Sequence, residues 1–178
     1  MTHVLGLGNA LMGDDGFGPA VIRAFEAEYA VGADVDVIDL GTPGLDVTPW
    51  LVDVDRVIVV DTVNTGEAPG TIRFFDKEEL LRHAPGIRVG PHDPGLIETL
   101  FTLEFAGRGP KEVILIGVVP GSVEMGLDLT PCVRDMVPAA VELLARALTG
   151  LGTTIVHRER PVLQHPWWAV SPSTITFN

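Results

Sequence analysis

Two adjacent aspartates, Asp14 and Asp15, sit inside the glycine-rich stretch GLGNALMGDDGFG, the first place in the chain with side chains suited to chemistry. A third acid, Asp61, directly follows the apolar run VIVV, and His92 stands in the polar stretch GPHDPG. An imidazole nitrogen beside carboxylate oxygens suits nickel, zinc, iron or manganese, with selectivity left to geometry. No two of Asp15, Asp61 and His92 are neighbours in sequence, so only a fold can assemble them.

The glycine stretch invites comparison with loops that cradle phosphates. A dinucleotide fingerprint, G-x-G-x-x-G, fails because Leu11 stands where the third glycine belongs after Gly6 and Gly8. A phosphate loop, G-x-x-x-x-G-K-[ST], fits Gly8 and Gly13, but Asp14 and Asp15 replace the lysine and the hydroxyl residue. Two aspartates repel an anion and favour a cation. A plainer role is open to both, since acids stabilise the positive end of a following helix by about 0.3–1 kcal/mol each. Gly16 and Gly18 each cost a helix about 1 kcal/mol relative to alanine, so glycine there implies close approach to the backbone.

Other constellations are missing. There is no H-E-x-x-H pair for a zinc peptidase of that type. Ser122 has Pro120 where a nucleophile elbow needs glycine. Cys132, the one cysteine, is read as a small buried hydrophobe, and it excludes an internal disulfide and fits a reducing compartment. His3, His83, His157 and His165 have no acidic loop companions in this reading.

These residues need elements to position them. HVLGLGN reads as a first strand, followed by a helix from Gly16 to Tyr29 with apolar residues near helical spacing. DVDVIDLG is a second strand, and a helical turn from Leu45 to Val52 leads into RVIVVD, a run typical of a strand buried on both faces. APGTIRFF follows a Pro-Gly turn as an extra strand, read as antiparallel. A helix after His92, the buried strand KEVILIGVV and a last long helix complete the pattern, with Thr130 as its cap, Pro131 in first position and Gly150 just past its end. Strands alternating with helices predict a single α/β domain: a twisted, mainly parallel, five-stranded sheet sandwiched between helices. Residues 1–150 make that domain, and residues 151–178, which include HPWWAVSPS, read as an appended tail or a strap across the surface.

In open sheets of this kind ligands bind outside the carboxyl ends of the strands. There the sequence places Gly8-Asn9, Asp14-Asp15, the GTPG turn from Gly41 to Gly44, Asp61, Gly117 and the His92 loop. The composition narrows the guest. At 178 residues, with a net charge of -12, the chain lacks the clustered basic residues of a nucleic-acid or anionic-membrane surface. It has no apolar stretch long enough to span a bilayer and no basic region ahead of its first strand, so a cytoplasmic location is expected.

Taken in order, VLGLGNALMGDDGFGPAVIRAF, DLGTPGLDV, VIVVDTV, APGTIRFF, GPHDPGL and LIGVVPGSVEMGLDLTPCV resemble the hydrogenase maturation endopeptidases, over Val4 to Leu148. The resemblance implies a peptidase domain that removes a C-terminal extension from the large-subunit precursor of [NiFe] hydrogenase after nickel insertion, an activity of aspartyl type. It implies nickel carried by the precursor as the metal, no tightly bound organic cofactor, and Asp15, Asp61 and His92 as both metal-contacting and catalytic residues. Asn9, Gly41, Thr42 and Gly44 would contact the substrate. Asp15 stands where the family often has glutamate, Asp93-Pro94 departs from the family's histidine loop, and the HPWW tail has no counterpart in it. From the residues alone two rivals remain open: a hydrolase with a resident metal acting on another substrate, and a noncatalytic nucleotide-binding or assembly module.

Overall fold

The computed structural model describes residues 1–42, 46–83, 88–89 and 95–162. Its centre is a strand buried on both faces: Val57 to Val60 form the middle of β4 (Arg56–Asn64) and are out of water on both sides. β1 (Thr2–Leu7) and β7 (Glu112–Val118) flank β4 in parallel, with Gly6 opposite Val60 and Asp61 opposite Gly117. β3 (Val35–Gly41) pairs in parallel with β1, and β5 (Ile72–Asp76) pairs antiparallel with β7. The order β3-β1-β4-β7-β5 makes the expected five-stranded, mainly parallel sheet, and a two-residue β6 (Arg88–Val89) pairs with the end of β4.

Alternation along the strands divides the core between two faces. Val4, Ile58, Val60 and Ile116 meet α1 (Phe17–Glu28) and α6 (Val137–Gly150) through Phe17, Ile22, Phe25 and Leu144. On the other face Leu5, Val57, Val59 and Leu115 meet Leu51 of α2 (Thr48–Leu51), Leu80 of α3 (Lys77–His83) and Leu100 of α4 (Gly95–Phe105). Each such aliphatic side chain contributes about 1.5–3 kcal/mol by leaving water.

Four boundaries differ from the sequence reading. The first helix does not start at Gly16: a 3-10 turn, Gly13–Gly16, precedes Phe17, and Tyr29 already belongs to β2 (Tyr29–Val31). The last helix is two, α5 (Pro131–Arg134) and α6, because Pro138 lies in the first turn of α6. Within one continuous helix its ring would clash with the carbonyl of Arg134. Gly150 is the final residue of α6 rather than its stop; the chain turns at Gly152 (φ 75°), where Thr153 N–H reaches the Leu148 carbonyl.

The segment after α6 returns to the start of the chain. β8 (Ile155–His157) pairs antiparallel with β2 in a separate two-stranded sheet. Beyond it Arg158 N–H donates to the Glu28 carbonyl (2.7 Å), and Val162 N–H donates to the Ala27 carbonyl (2.9 Å). The described part of this segment is thus a strap over the C-terminal end of α1. Among the described residues, no helix is long and apolar enough to cross a membrane.

Candidate active site

The carboxyl ends of β1 and β4 converge where α1 begins. A Cβ on Gly18 would lie 2.1 Å from the Leu7 carbonyl oxygen and 2.5 Å from that of Val60, so the start of α1 rests directly on both strand ends. Gly8 (φ 122°) is held as tightly, since a Cβ there would meet the Asp15 carbonyl oxygen at 1.8 Å. The glycines inferred to admit a guest thus admit the protein's own backbone. That fold-back seats Asp15 against the end of β1.

Asp15 is fully buried, and its Oδ2 accepts the Asn9 backbone N–H at 2.7 Å. Asp61 is 5% exposed and lies within β4, which runs on to Asn64 rather than ending at the acid. Its Oδ1 accepts Thr62 N–H at 2.6 Å and lies 3.5 Å from Thr62 Oγ1. Alternation puts Asp61 on the face of Val57, Val59 and Val63, against which Leu96, Ile97 and Leu100 of α4 pack. Both carboxylates are withdrawn from water toward one end of the sheet, with backbone donors fixing an oxygen of each.

His92 lies outside the described residues, three positions before α4 begins at Gly95. Gly44 also lies outside them. The first half of its turn is described: the Gly41 carbonyl accepts Gly8 N–H at 2.8 Å, and Thr42 is exposed beside it. Asn9 is half-buried, and its side-chain oxygen accepts Leu11 N–H at 3.0 Å, bracing its own loop. The structure therefore brings Asn9, Asp15, Gly41, Thr42 and Asp61 to one edge. Among the described residues, no three His, Cys, Asp or Glu side chains form a metal-holding group.

Asp14 turns the other way. It is fully buried, its Oδ2 accepting Gly121 N–H (2.7 Å), Ser122 N–H (3.0 Å) and Thr130 Oγ1–H (2.8 Å), and its Oδ1 accepting Thr130 N–H (2.6 Å). Its role is a clamp joining the loop after β1 to the loop after β7. Thr130 stands at the N-cap position of α5 but makes no side-chain cap bond, its hydroxyl being given to Asp14. Cys132 is exposed rather than buried, 3.3 Å from Thr130 Oγ1. His3 has the acidic companion that the sequence did not reveal, with Nε2 3.8 Å from Asp36 Oδ2, on the β1–β3 pair at the opposite end of the sheet.

The family profile described as HycI, hydrogenase maturation protease, matches residues 19–147. The chain belongs to the hydrogenase maturation proteases. Among curated relatives it is 35% identical to the hydrogenase expression/formation protein HupD of Bradyrhizobium diazoefficiens, over 90% of this chain and 84% of that protein. It is 34% identical to the hydrogenase 2 maturation protease of Escherichia coli, over 88% of this chain and 95% of that one. The solved structure of the hydrogenase maturating endopeptidase HybD from E. coli superposes with a TM-score of 0.81 at 34% identity, covering 88% of this chain and 97% of that chain.

A hydrogenase maturation protease is a peptide-bond hydrolase, and the carboxyl edge of this one carries its buried acids. Sequence reasoning missed the Asp14 clamp because Asp14 and Thr130 are 116 residues apart. The available signal was the Pro-Gly-Ser loop at the end of β7, which lies at the same sheet edge as the two aspartates.

Proposed function

We propose that this protease removes a C-terminal extension from the large-subunit precursor of [NiFe] hydrogenase and recognises the nickel already held by that precursor. The observation that carries the reading is the pair Asp15 and Asp61, at most 5% exposed, the first folded back against the loop after β1 and the second near the carboxyl end of the neighbouring β4. In this reading nickel is part of the substrate. Asp15, Asp61 and His92 bind it, while Asn9 and the Gly41–Gly44 turn hold the extension. A metal so placed polarises the scissile carbonyl or activates water. The aspartates then act as an aspartyl-type site only in the sense of orienting that metal and its substrate. The precursor is the macromolecular partner, and catalysis is expected in the cytoplasm.

The nucleotide reading loses its basis at Gly8 and Gly18, whose open sides are filled by backbone from Asp15, Leu7 and Val60. To test the leading reading, purified protein is mixed with nickel-loaded and nickel-free precursor and cleavage is followed by mass. Only the loaded precursor should be cut, and Asp15→Ala and His92→Ala should abolish the cut. Equal cleavage of both precursors would sink nickel recognition. A stoichiometric ion in protein purified without added metal would favour a resident-metal hydrolase instead.

A further inference from the structure

Beside the buried acids the same two loops expose apolar side chains. Leu11 is 45% exposed, Val123 38%, Met125 89% and Leu127 56%. They belong to one structure: Gly126 N–H bonds to the Leu11 carbonyl, Gly13 N–H to the Gly126 carbonyl, and Asp14 N–H to the Ser122 carbonyl, each at 2.9 Å. Met12 and Gly126 form a parallel bridge, and the buried Asp14 carboxylate fastens the underside. The lip is continuous with the site, since Asp15 N–H bonds to the Met12 carbonyl at 3.1 Å.

Water opposes an exposed cluster of Met, Leu and Val on a loop, and such clusters mark surfaces meant to be covered. The charge around the cluster says by what. Glu124 and Asp128 are exposed between the apolar residues. No lysine or arginine occurs from Leu7 to Ile22 or from Gly117 to Val133. An apolar patch with an acidic rim fits an apolar patch with a basic rim.

We propose that Leu11, Val123, Met125 and Leu127 form a docking lip for the folded body of the precursor, which presents an apolar surface bordered by lysine or arginine. The inference rests on the proposed substrate. It adds that the precursor is held by its body on the lip as well as by its nickel at Asp15 and Asp61. Because the lip is fixed by backbone hydrogen bonds and the Asp14 clamp, little order is lost when it is covered.

The test follows cleavage of nickel-loaded precursor by wild type, Met125→Asp/Leu127→Asp, Leu11→Asp and Phe105→Asp. Phe105 is 98% exposed at the far end of α4, where the chain heads for the start of β7, and serves as the control. The double variant should raise KM at least ~10-fold with kcat within ~2-fold of wild type, and Phe105→Asp should leave both unchanged. Leu11→Asp, on the other loop, should raise KM in the same way, which keeps the test decisive if the double variant fails to fold. KM values within ~2-fold of wild type in folded lip variants overturn the proposal. So does a change in self-association on sedimentation with KM unmoved, which would assign the patch to a second copy of the chain. Wild type that leaves every precursor uncut overturns the substrate reading itself, so the two failures are distinguishable.

Discussion

Asp14 and Asp15 share a backbone turn and send their carboxylates to different loops. Both carboxyls of the pair are out of water, but Asp14 spends its oxygens on four donors of the loop after β7, whereas Asp15 is turned toward the end of β1. Replacing Asp14 by asparagine would force an amide N–H₂ against backbone N–H groups and remove a buried charge. It should cost about 3 kcal/mol, read as a lowered midpoint in urea denaturation. Asp15→Asn keeps the shape and an oxygen for Asn9 N–H. It should cost less stability than Asp14→Asn yet lower cleavage of the nickel-loaded precursor at least ~100-fold. Equal losses of stability with full cleavage in Asp15→Asn would reverse the assignment. The sequence already set two aspartates in a glycine loop and so pointed to a cation. The sequence reading set Asp15, not Asp14, beside Asp61 and His92, but the contacts that make Asp14 a clamp lie more than a hundred residues away, beyond any local spacing.

At the scale of elements, strands and helices with a long period were legible, and short ones were not. β2 and β8 have three residues each, and the helical pattern of α1 runs through Tyr29 without a turn signal. Tyr29 leaves the helix because it pairs with His157 across β2 and β8, the two rings meeting edge-on (5.0 Å), while its ring still stacks on Phe25 one turn back in α1 (5.1 Å). The strap also completes α1 electrostatically. The last turn of α1 holds no basic side chain, and Arg158 Nε supplies one from outside, 3.1 Å from both the Glu26 and Tyr29 carbonyls. A cation on those carbonyls stabilises the helix C-terminus by about 0.5–2 kcal/mol. Arg158→Ala should therefore lower Tm by about 2–6 °C, measured by circular dichroism, with Arg158→Lys intermediate. A Tm unchanged in Arg158→Ala would mean that the backbone bonds of the strap suffice. Gly18→Ala tests the other end of α1. Its methyl group would strike two carbonyl oxygens of the sheet, so a loss of about 3 kcal/mol is expected in urea unfolding, and with it the seat of Asp15.

Across the whole molecule, alternating strands and helices foretold the parallel sheet but not the order β3-β1-β4-β7-β5, because they do not say which strands are neighbours. That order puts the chemistry at one edge and a belt of exposed ion pairs at the other. Asp55, just ahead of β4, accepts from the Met1 amino group (3.0 Å) and from Lys111 Nζ (2.7 Å), and Asp53 pairs with Arg108. The Lys111 ammonium, together with the amino terminus, holds the Asp55 carboxyl down at about 2 from an ordinary 3.8, and Arg108 lowers Asp53 in the same sense. In the interval between those values the unfolded chain binds a proton at Asp55 that the folded chain refuses, so acid favours unfolding there. The stabilising contribution of Asp55 is complete above 3.8 and is lost as pH falls through about 2. A comparison of wild type with Asp55→Asn by Tm against pH should show a gap near neutral pH that closes over this interval. High salt should narrow the gap throughout, since the pair faces water and counterions screen it. A gap that persists to pH about 2, or one indifferent to salt, would show that the side chain acts by packing rather than by charge. Cleavage at neutral pH should be the same in both proteins, because the bonds broken lie at the amino ends of β4 and β7, a full strand length from Asp15 and Asp61.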